Sequence, residues 1–442
     1  MTIANLTLAQ VLDQLNSGRS WSGASISYSF PNTAPGLYSQ GEAAAFRAFD
    51  ADQRSMMTLA MVTWDDLISP NFVQGTAGTT HIEFGYTTSN IGFAHAYYPE
   101  IGSAWFNSTE PDLITPLIGG YGFDTFIHEL GHALGLNHMG DYNGNGNWAP
   151  SSYQDSVVLS VMSYFGPRYA APYYSSEVMQ ADWTGSDGRT YSAQTPMLND
   201  VMAIQAIYGA STSTRLDNTV YGFGSNIVDS TRAIYDFSLN AHPILTLYDA
   251  GGLDTLNLSG WSTPSRIDLH AGAFSSGNDM SNNIAIAYNA TIENAEGGGG
   301  NDVITGNDTA NLLRGAAGND ELYGSAGDDT LIGGTGNDDL RGGAGTDTAV
   351  FEGSFASYTI SSSGGVLTIS SSASGSDRIS EVERFQFADS TRTLDQLSAD
   401  SDTTAPQLVS LNPLDDGSNV AVGANLVLSF DEAIKAGNGT IS

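Results

Sequence analysis

Between Gly297 and Asp347 three registers repeat together every nine residues. Gly297, Gly306, Gly315, Gly324, Gly333 and Gly342 carry the period, Asp302, Asn311, Asp320, Asp329, Asp338 and Asp347 follow five places later, and Ile304, Leu313, Leu322, Leu331 and Leu340 hold a third phase. A flexible glycine linker has a composition but no phase, so this stretch is predicted to coil, one short turn per nonapeptide. Each turn bends at its glycines, exposes carbonyls, offers a carboxylate and points an aliphatic side chain into a narrow core. Hard oxygens grouped in this way suit calcium. The expected ligands, turn by turn, are Gly297, Gly299 and Asp302; Gly315, Ala317 and Asp320; Gly324, Ala326 and Asp329; Gly333, Thr335 and Asp338; and Gly342, Ala344 and Asp347. Asn311 replaces the aspartate of the second turn, which predicts a weaker or missing site there.

The rest of the chain is long enough, at 442 residues, for two or three domains with separate cores. Acidic residues number 48 against 14 basic ones, and Lys435 is the single lysine, so there is no basic patch for nucleic acid or anionic lipid. The absence of cysteine removes disulfides and any thiol switch on a metal, leaving bound ions as the available staples. Met1 to Gln14 lacks a basic stretch followed by an apolar core, and no apolar run approaches the ~20 residues of a membrane span. If the protein is exported, the signal is expected elsewhere.

A second feature is chemical. The run His128-Glu129-Leu130-Gly131-His132-Ala133-Leu134-Gly135-Leu136-Asn137-His138 places two histidines four apart, on one helical face, with Glu129 beside them. His138 comes six residues later, where no continuous helix aims it back at the same point, and Gly135 can supply the left-handed turn that redirects it. Three neutral imidazoles leave an open position for water, the arrangement of a zinc hydrolase of the metzincin form. The bland alternative is an amphipathic core helix that happens to carry histidines.

Around this run, apolar spacing predicts helices over Leu6–Leu15, Ala43–Leu67 and Leu198–Tyr208, the second with Phe46, Phe49, Met56, Met57, Ala60 and Trp64 inward. Gly209 ends the third. Alternation predicts strands over Ser25–Phe30, His81–Tyr86 and Gly92–Tyr98. His81 and His95 within them read as structural. Met162 and Tyr164, about 24 residues beyond the third histidine, are core-like alone, but they are placed to form a floor beneath a metal and to reach it or a reacting carbonyl.

With these residues in place the chain resembles the serralysins, secreted bacterial metzincin metalloproteases, over roughly residues 20 to 398. The resemblance rests on the histidine run, the Gly140-Asp141-Tyr142-Asn143 after it, Ser160-Val161-Met162-Ser163-Tyr164, Ala203-Ile204-Gln205-Ala206-Ile207-Tyr208-Gly209 and Thr219-Val220-Tyr221-Gly222-Phe223. It implies that His128, His132 and His138 bind one zinc ion, that Glu129 is the proton carrier, and that Met162 forms the Met-turn. It also implies that Tyr164 ligates zinc at rest and swings to the oxyanion in turnover, and that substrate pairs with the strand Gly92–Tyr97. Met139 departs from the family's proline, which puts the rigidity of that loop in question. A further calcium is implied at Asp249, Gly251, Gly252, Asp254, Thr291 and Glu293, with the carbonyls of Arg215 and Thr219. Asp217 there replaces the usual glycine and either strengthens or distorts the site.

Val350 to Phe387 alternates as strands closing a sandwich on the roll. Asp402-Thr403-Thr404-Ala405-Pro406 reads as a linker, and Leu426, Leu428 and Phe430 as a strand of an immunoglobulin-like module continuing past Ser442. The expected architecture is an α+β metzincin catalytic domain over 1–209, an all-β parallel β-roll or sandwich over 210–400, and a linker with an incomplete module over 401–442. The expected function is a secreted, monomeric, extracellular zinc endopeptidase with several structural calcium ions, acting on proteins and peptides, with no nucleic-acid or membrane partner. The rival is a calcium-dependent adhesion or cell-surface binding protein with a vestigial protease-like domain.

Overall fold

The computed structural model describes residues 3–34, 41–140, 142, 148–168, 171–400, 407–412 and 427–430. The chain opens with α1 (Leu8–Leu15), closed at its start by a capping box between Thr7 and Gln10. There follow β1 (Ser25–Ser29), α2 (Ala51–Asp65), β2 (Asn71–Gln74), β3 (Ile82–Thr87), β4 (Ala94–Ala96), β5 (Ser103–Asn107), the short α3 (Pro111–Ile114), α4 (Tyr121–Ala133) and α5 (Leu198–Tyr208). The five strands form one sheet in the order β2-β1-β3-β5-β4, parallel except for β4, which runs antiparallel to β5 and leaves one sheet edge unpaired. β4 is also the strand nearest α4, so the free edge lies beside the histidine helix.

The expected helix from Ala43 to Leu67 is two elements. Glu42–Ala45 makes one 3-10 turn, Phe46 is extended, and Arg47 bridges to Tyr86 before α2 begins. The break is chemical: Asp50 accepts the Gln53 N–H and the Gln53 side chain returns to the Asp50 N–H, both at 3.0 Å, a capping box that fixes the helix start at Ala51. Phe46 and Met56 are consequently only half-buried. The expected strand Gly92–Tyr98 shortens to β4. β2 and β5 had no alternating signal, because β5 is buried on nearly every side chain and β2 is largely exposed.

From Val220 onward the chain builds an eight-stranded and a seven-stranded sheet, with parallel pairing through the repeats. Strands Leu312–Ala317 and Thr330–Thr335 pair in one sheet, and Glu321–Ala326 and Asp339–Ala344 in the other. Partners such as Leu313 and Leu331, or Leu322 and Leu340, lie two nonapeptides apart, so two repeats make one full coil. Ile304, Leu313, Leu322, Leu331 and Leu340 are all buried between the sheets. The hairpin of Val366–Ser371 and Gly375–Ser380 extends one sheet and Arg384–Gln386 the other, with Phe351, Phe355 and Phe387 packed ring on ring at the end. The roll meets the first half through Arg215, whose Nη1 donates to Asp66 at 2.7 Å while its Nε donates to the Tyr221 hydroxyl. Beyond it, Leu408–Asn412 pairs antiparallel with Val427–Phe430. Asp402–Pro406 and Leu426 lie outside the described residues.

Candidate active site and metal centres

α4 carries its apolar residues Phe123, Phe126, Ile127 and Leu130 into the core, and the Trp64 indole of α2 donates to the Ile127 carbonyl at 3.2 Å. The helix stops through a Schellman arrangement: Gly135 N–H returns to the His132 carbonyl and Leu136 N–H to the Gly131 carbonyl, both at 2.9 Å. Gly135 has φ of +105° and its absent Cβ would lie 2.1 Å from the Arg19 carbonyl oxygen, so both backbone sign and space require glycine. The reversed chain then brings His138 back over the helix.

The three rings converge. His138 Nε2 lies 3.1 Å from His132 Nε2 and 3.3 Å from His128 Nε2. His128 Nδ1 is bonded to the Val161 carbonyl and His132 Nδ1 to the Leu136 carbonyl, each at 2.7 Å, so both Nδ1 atoms carry the proton and both Nε2 lone pairs point inward. Lone pairs held this close repel unless a cation lies between them. Bonds of ~2.0–2.1 Å at tetrahedral angles place nitrogens about 3.3 Å apart, so the triad fits zinc. Among the described residues, it is the group of three or more such side chains whose ligand atoms all lie within 4.8 Å of one another. Burial holds His128 down at about 4 and His132 well below the usual imidazole range, with the neighbouring rings adding to the shift at His132. Both are therefore neutral ligands at physiological pH.

Glu129 is buried beside the triad with Oε2 unpartnered, and burial alone pushes its carboxyl up to about 8. Met162 lies under α4: a Cβ on Gly131 would come within 2.5 Å of its sulfur. The Met162 turn is tied to α5 by Asp200, which accepts from Ser160 Oγ (2.5 Å), Val161 N–H (2.7 Å) and Met197 N–H (2.9 Å). Asp155 holds the other side, accepting from Ser163 Oγ and from the Tyr142 hydroxyl. Met139, in the family's proline position, donates its N–H to the Met162 carbonyl at 3.0 Å, a bond proline cannot make, and so restores restraint to the loop. Tyr164 stands with its ring 5.5 Å from that of His128 and 4.7 Å from that of His138, and burial next to Glu129 raises its phenol. Two cavities, of about 300 and 220 Å³, meet at Glu129 and Tyr164, and β4 borders both. Asp141, Asn143 and Gly144 lie outside the described residues.

His81 lines neither cavity, whereas His95 borders the smaller one with Glu129, His132 and His138 but is engaged elsewhere. His81 Nδ1 accepts the Ser27 N–H, and His95 Nε2 sits 3.2 Å from the buried Glu42 carboxylate. The sequence offers Asn199 or Asp200 only as a residue near the start of α5, and Asp155 and Asp124 carry no motif signal there. Asp200 and Asp155 act across distant segments, whereas Asp124 precedes His128 by one helical turn and can be found by extending the spacing backwards.

In the roll, each aspartate folds back over the glycine five places before it. A Cβ on Gly315, Gly324, Gly333 or Gly342 would lie between 2.2 and 2.4 Å from Oδ2 of Asp320, Asp329, Asp338 or Asp347. In each of these four, Oδ2 is buried with no hydrogen-bond partner. Oδ1 is already used, accepting the N–H of the residue one coil earlier at 2.8 to 2.9 Å for Asp320, Asp329, Asp338 and Asp347. Buried acceptor-only oxygens of this kind need a cation or a proton. Asp302 differs: Gly298 and Ser265 N–H groups take both of its oxygens. The Asn311 amide donates to the Glu293 carbonyl and to Asn307 Oδ1, so a hydrogen-bonded staple stands where a carboxylate would call for an ion. Ala317 lies opposite Thr335 in adjacent coils, and the carbonyls of Thr335 and Ala344 accept N–H groups of Gly318 and Gly327. Gly299 N–H donates to Trp261 and Ala326 pairs with Ala344.

Upstream, Asp254 Oδ2 is likewise buried and unpartnered, while its Oδ1 accepts the Thr219 N–H and its own N–H meets Glu293 Oε2. Asp249 accepts from Gly251 N–H and the Tyr221 hydroxyl, and a Cβ on Gly252 would meet the Asp217 carbonyl at 2.7 Å. Asp217 is exposed and is not among the residues of positive φ, so its backbone does not demand the glycine it replaces. Thr291 is exposed, and the Arg215 side chain is engaged with Asp66.

The family profile described as Peptidase M10 serralysin C terminal matches residues 210–422. A serralysin of Photorhabdus laumondii is 38% identical over 283 residues, covering 60% of this chain and 55% of the relative. Metalloprotease AprA of Pseudomonas entomophila is 38% identical over 304 residues (65% and 60%), and serralysin G of Dickeya chrysanthemi 37% over 326 residues (68% and 65%). The chain thus spans between 55% and 65% of the length of these relatives.

Proposed function

The chain is a relative of the serralysin-type metalloproteases, and from that premise we propose that it is a secreted zinc endopeptidase stabilised by calcium in its β-roll. The observation that carries the reading is the meeting of three imidazole nitrogens beside the unpartnered Glu129 carboxylate. Zinc bound by His128, His132 and His138 supplies a Lewis acid for water and for the scissile carbonyl. Glu129 takes the proton of the attacking water and passes it to the leaving amine, and its burial makes it a stronger base than a solvated carboxylate. The Tyr164 hydroxyl donates a hydrogen bond to the developing oxyanion. The unpaired edge of β4 aligns an extended peptide across Glu129 by strand addition. Met162 and Gly135 are positioning residues.

The roll residues Asp320, Asp329, Asp338 and Asp347, with the glycine-turn carbonyls around them, hold calcium ions, and Asp249, Asp254 and Glu293 hold another. Calcium-dependent folding suits a protein that works outside the cell, where that ion is abundant. No described helix is long and apolar enough to cross a membrane. We place a protease domain at 1–209, a roll at 210–400 and a separate tail at 401–442, in a monomer acting on proteins and peptides. Hydrolysis of casein with and without a zinc chelator tests the reading. Hydrolysis that stops on chelation and returns with zinc supports it, whereas an inert, zinc-free chain that still binds calcium points to the adhesion alternative.

A further inference from the structure

The larger cavity holds a group that the proposed chemistry does not use. Asp124 precedes His128 by one turn of α4 and therefore faces the same way. It lines the cavity of about 300 Å³ together with His128 and Glu129, and its Oδ1 is shielded from solvent with no hydrogen-bond partner. The neighbouring buried acids are not in this condition: Asp200 accepts three hydrogen bonds, and Asp155 accepts from Tyr142, Ser163 and Ser151. Asp124 is half-buried, and a carboxylate oxygen shielded from water without a donor awaits one from outside the chain.

The surrounding surface says which kind of donor. The walls are Phe93, Tyr121, Val157 and Tyr173, with the Phe93 and Tyr121 rings 5.2 Å apart, and no lysine or arginine is among the described residues that line them. A long aliphatic stem ending in a cation fits such a cavity, covering aromatic walls with methylenes and delivering charge to the Asp124 carboxylate. Ala94, at the start of β4, also lines the cavity. An extended peptide paired with β4 and crossing Glu129 drops one side chain adjoining the scissile bond into this cavity.

We propose that Asp124 is a specificity-determining residue that selects a lysine or arginine side chain next to the scissile bond. This rests on the proteolytic reading of the same site. Burial, with Asp200 nearby, has pushed the Asp124 carboxyl up to about 8, and an incoming cation reverses that cost, so charged substrates gain where neutral ones of the same length do not.

The test uses quenched peptides identical except for lysine, arginine, norleucine or leucine at the residue adjoining the cleaved bond. The expected result is a wild-type kcat/KM at least tenfold higher for lysine and arginine than for norleucine, with that ratio collapsing toward one in Asp124→Asn. Wild-type protein without preference for the cations overturns the proposal by itself, even if the variant fails to fold. Binding is read separately, by fluorescence anisotropy of the same peptides on Glu129→Ala protein. Lysine-selective binding that disappears in Glu129→Ala/Asp124→Asn supports the role of Asp124 even if wild-type hydrolyses no peptide, an outcome that would sink the proteolytic reading instead. Equal affinity for lysine and norleucine peptides overturns it.

Discussion

Withdrawing calcium while keeping zinc should make the roll more stable in mild acid than at neutral pH. Burial, reinforced by facing acids, pushes the carboxyls of Asp320, Asp254 and Asp377, the last accepting the Asp338 N–H as the repeat aspartates do for one another, from 3.8 up to about 7 and that of Asp329 up to about 6. These folded values lie above the unfolded one, so between pH 3.8 and 7 the folded roll binds more protons than the unfolded chain. Its stability is then full below about pH 3.8 and is lost as pH rises through 6 to 7. Taken at face value a shift of three units is about 4 kcal/mol, but the roll is thin and water lies close behind each site, so a discounted figure of about 1 kcal/mol per carboxyl is used. Four such groups give roughly 4 kcal/mol between pH 4 and 7, or about 10 °C in Tm for a unit of this size. Calcium competes with protons for the same oxygens, so at saturating calcium the slope reverses and stability rises with pH over that window. The assay is thermal melting of the β-sheet circular dichroism signal from pH 4.5 to 8, with EGTA or with 5–10 mM calcium, roughly saturating for weak extracellular sites. The charge of −34 also favours acid through general repulsion, so Asp320→Asn/Asp329→Asn is the control: it should flatten the EGTA slope and raise the calcium midpoint. An EGTA Tm equal at pH 5 and 8, or the same slope in the double variant, refutes the assignment of Asp320 and Asp329 to the cation sites.

Glu129→Ala should abolish peptidase activity with zinc retained, checked by metal analysis of the purified variant; near-normal turnover contradicts the proton-carrier role. Tyr164→Phe should lower kcat on the order of 10²-fold with little change in KM, and a raised KM with kcat preserved would make Tyr164 a substrate-binding residue instead. Asn311→Asp should cost about 1–3 kcal/mol in EGTA, because the staple to Glu293 and Asn307 is lost and an acceptor is left bare, and should recover that loss in calcium, as read by paired melts.

The repeat was legible because a period of nine is a local property: each glycine and aspartate fixes its own turn, and stacking follows from every turn being alike. The pairing of turns two apart was not visible, since nothing in a single nonapeptide says which sheet receives it. In the first half, α1 and α5 could be read from apolar spacing, and α5 matches at both ends. The region from Ala43 to Leu67 could not, because its apolar residues suit a longer helix while the deciding signal was the polar pair Asp50 and Gln53. Strand β5, buried on nearly every side chain, carries no alternation for a reader to find.

The site divides along the same line. His128, Glu129 and His132 are one turn of one helix, so spacing alone brings them together, and Gly135 announces the reversal that returns His138. What holds Met162 beneath them is a relation between segments: Asp200 reaches Ser160 and Val161 from forty residues away, and Met139 donates to the Met162 carbonyl. Such bonds leave no periodic trace. An aspartate at the start of a helix reads as a cap, and Asp200 does accept the Met197 N–H there, but only the fold shows that the same carboxylate also holds Ser160 and Val161. Asp124 is the converse case. Its position on the histidine face was open to inspection, but its significance lies in a missing partner, and absence of a donor is a property of packed neighbours that no spacing rule supplies.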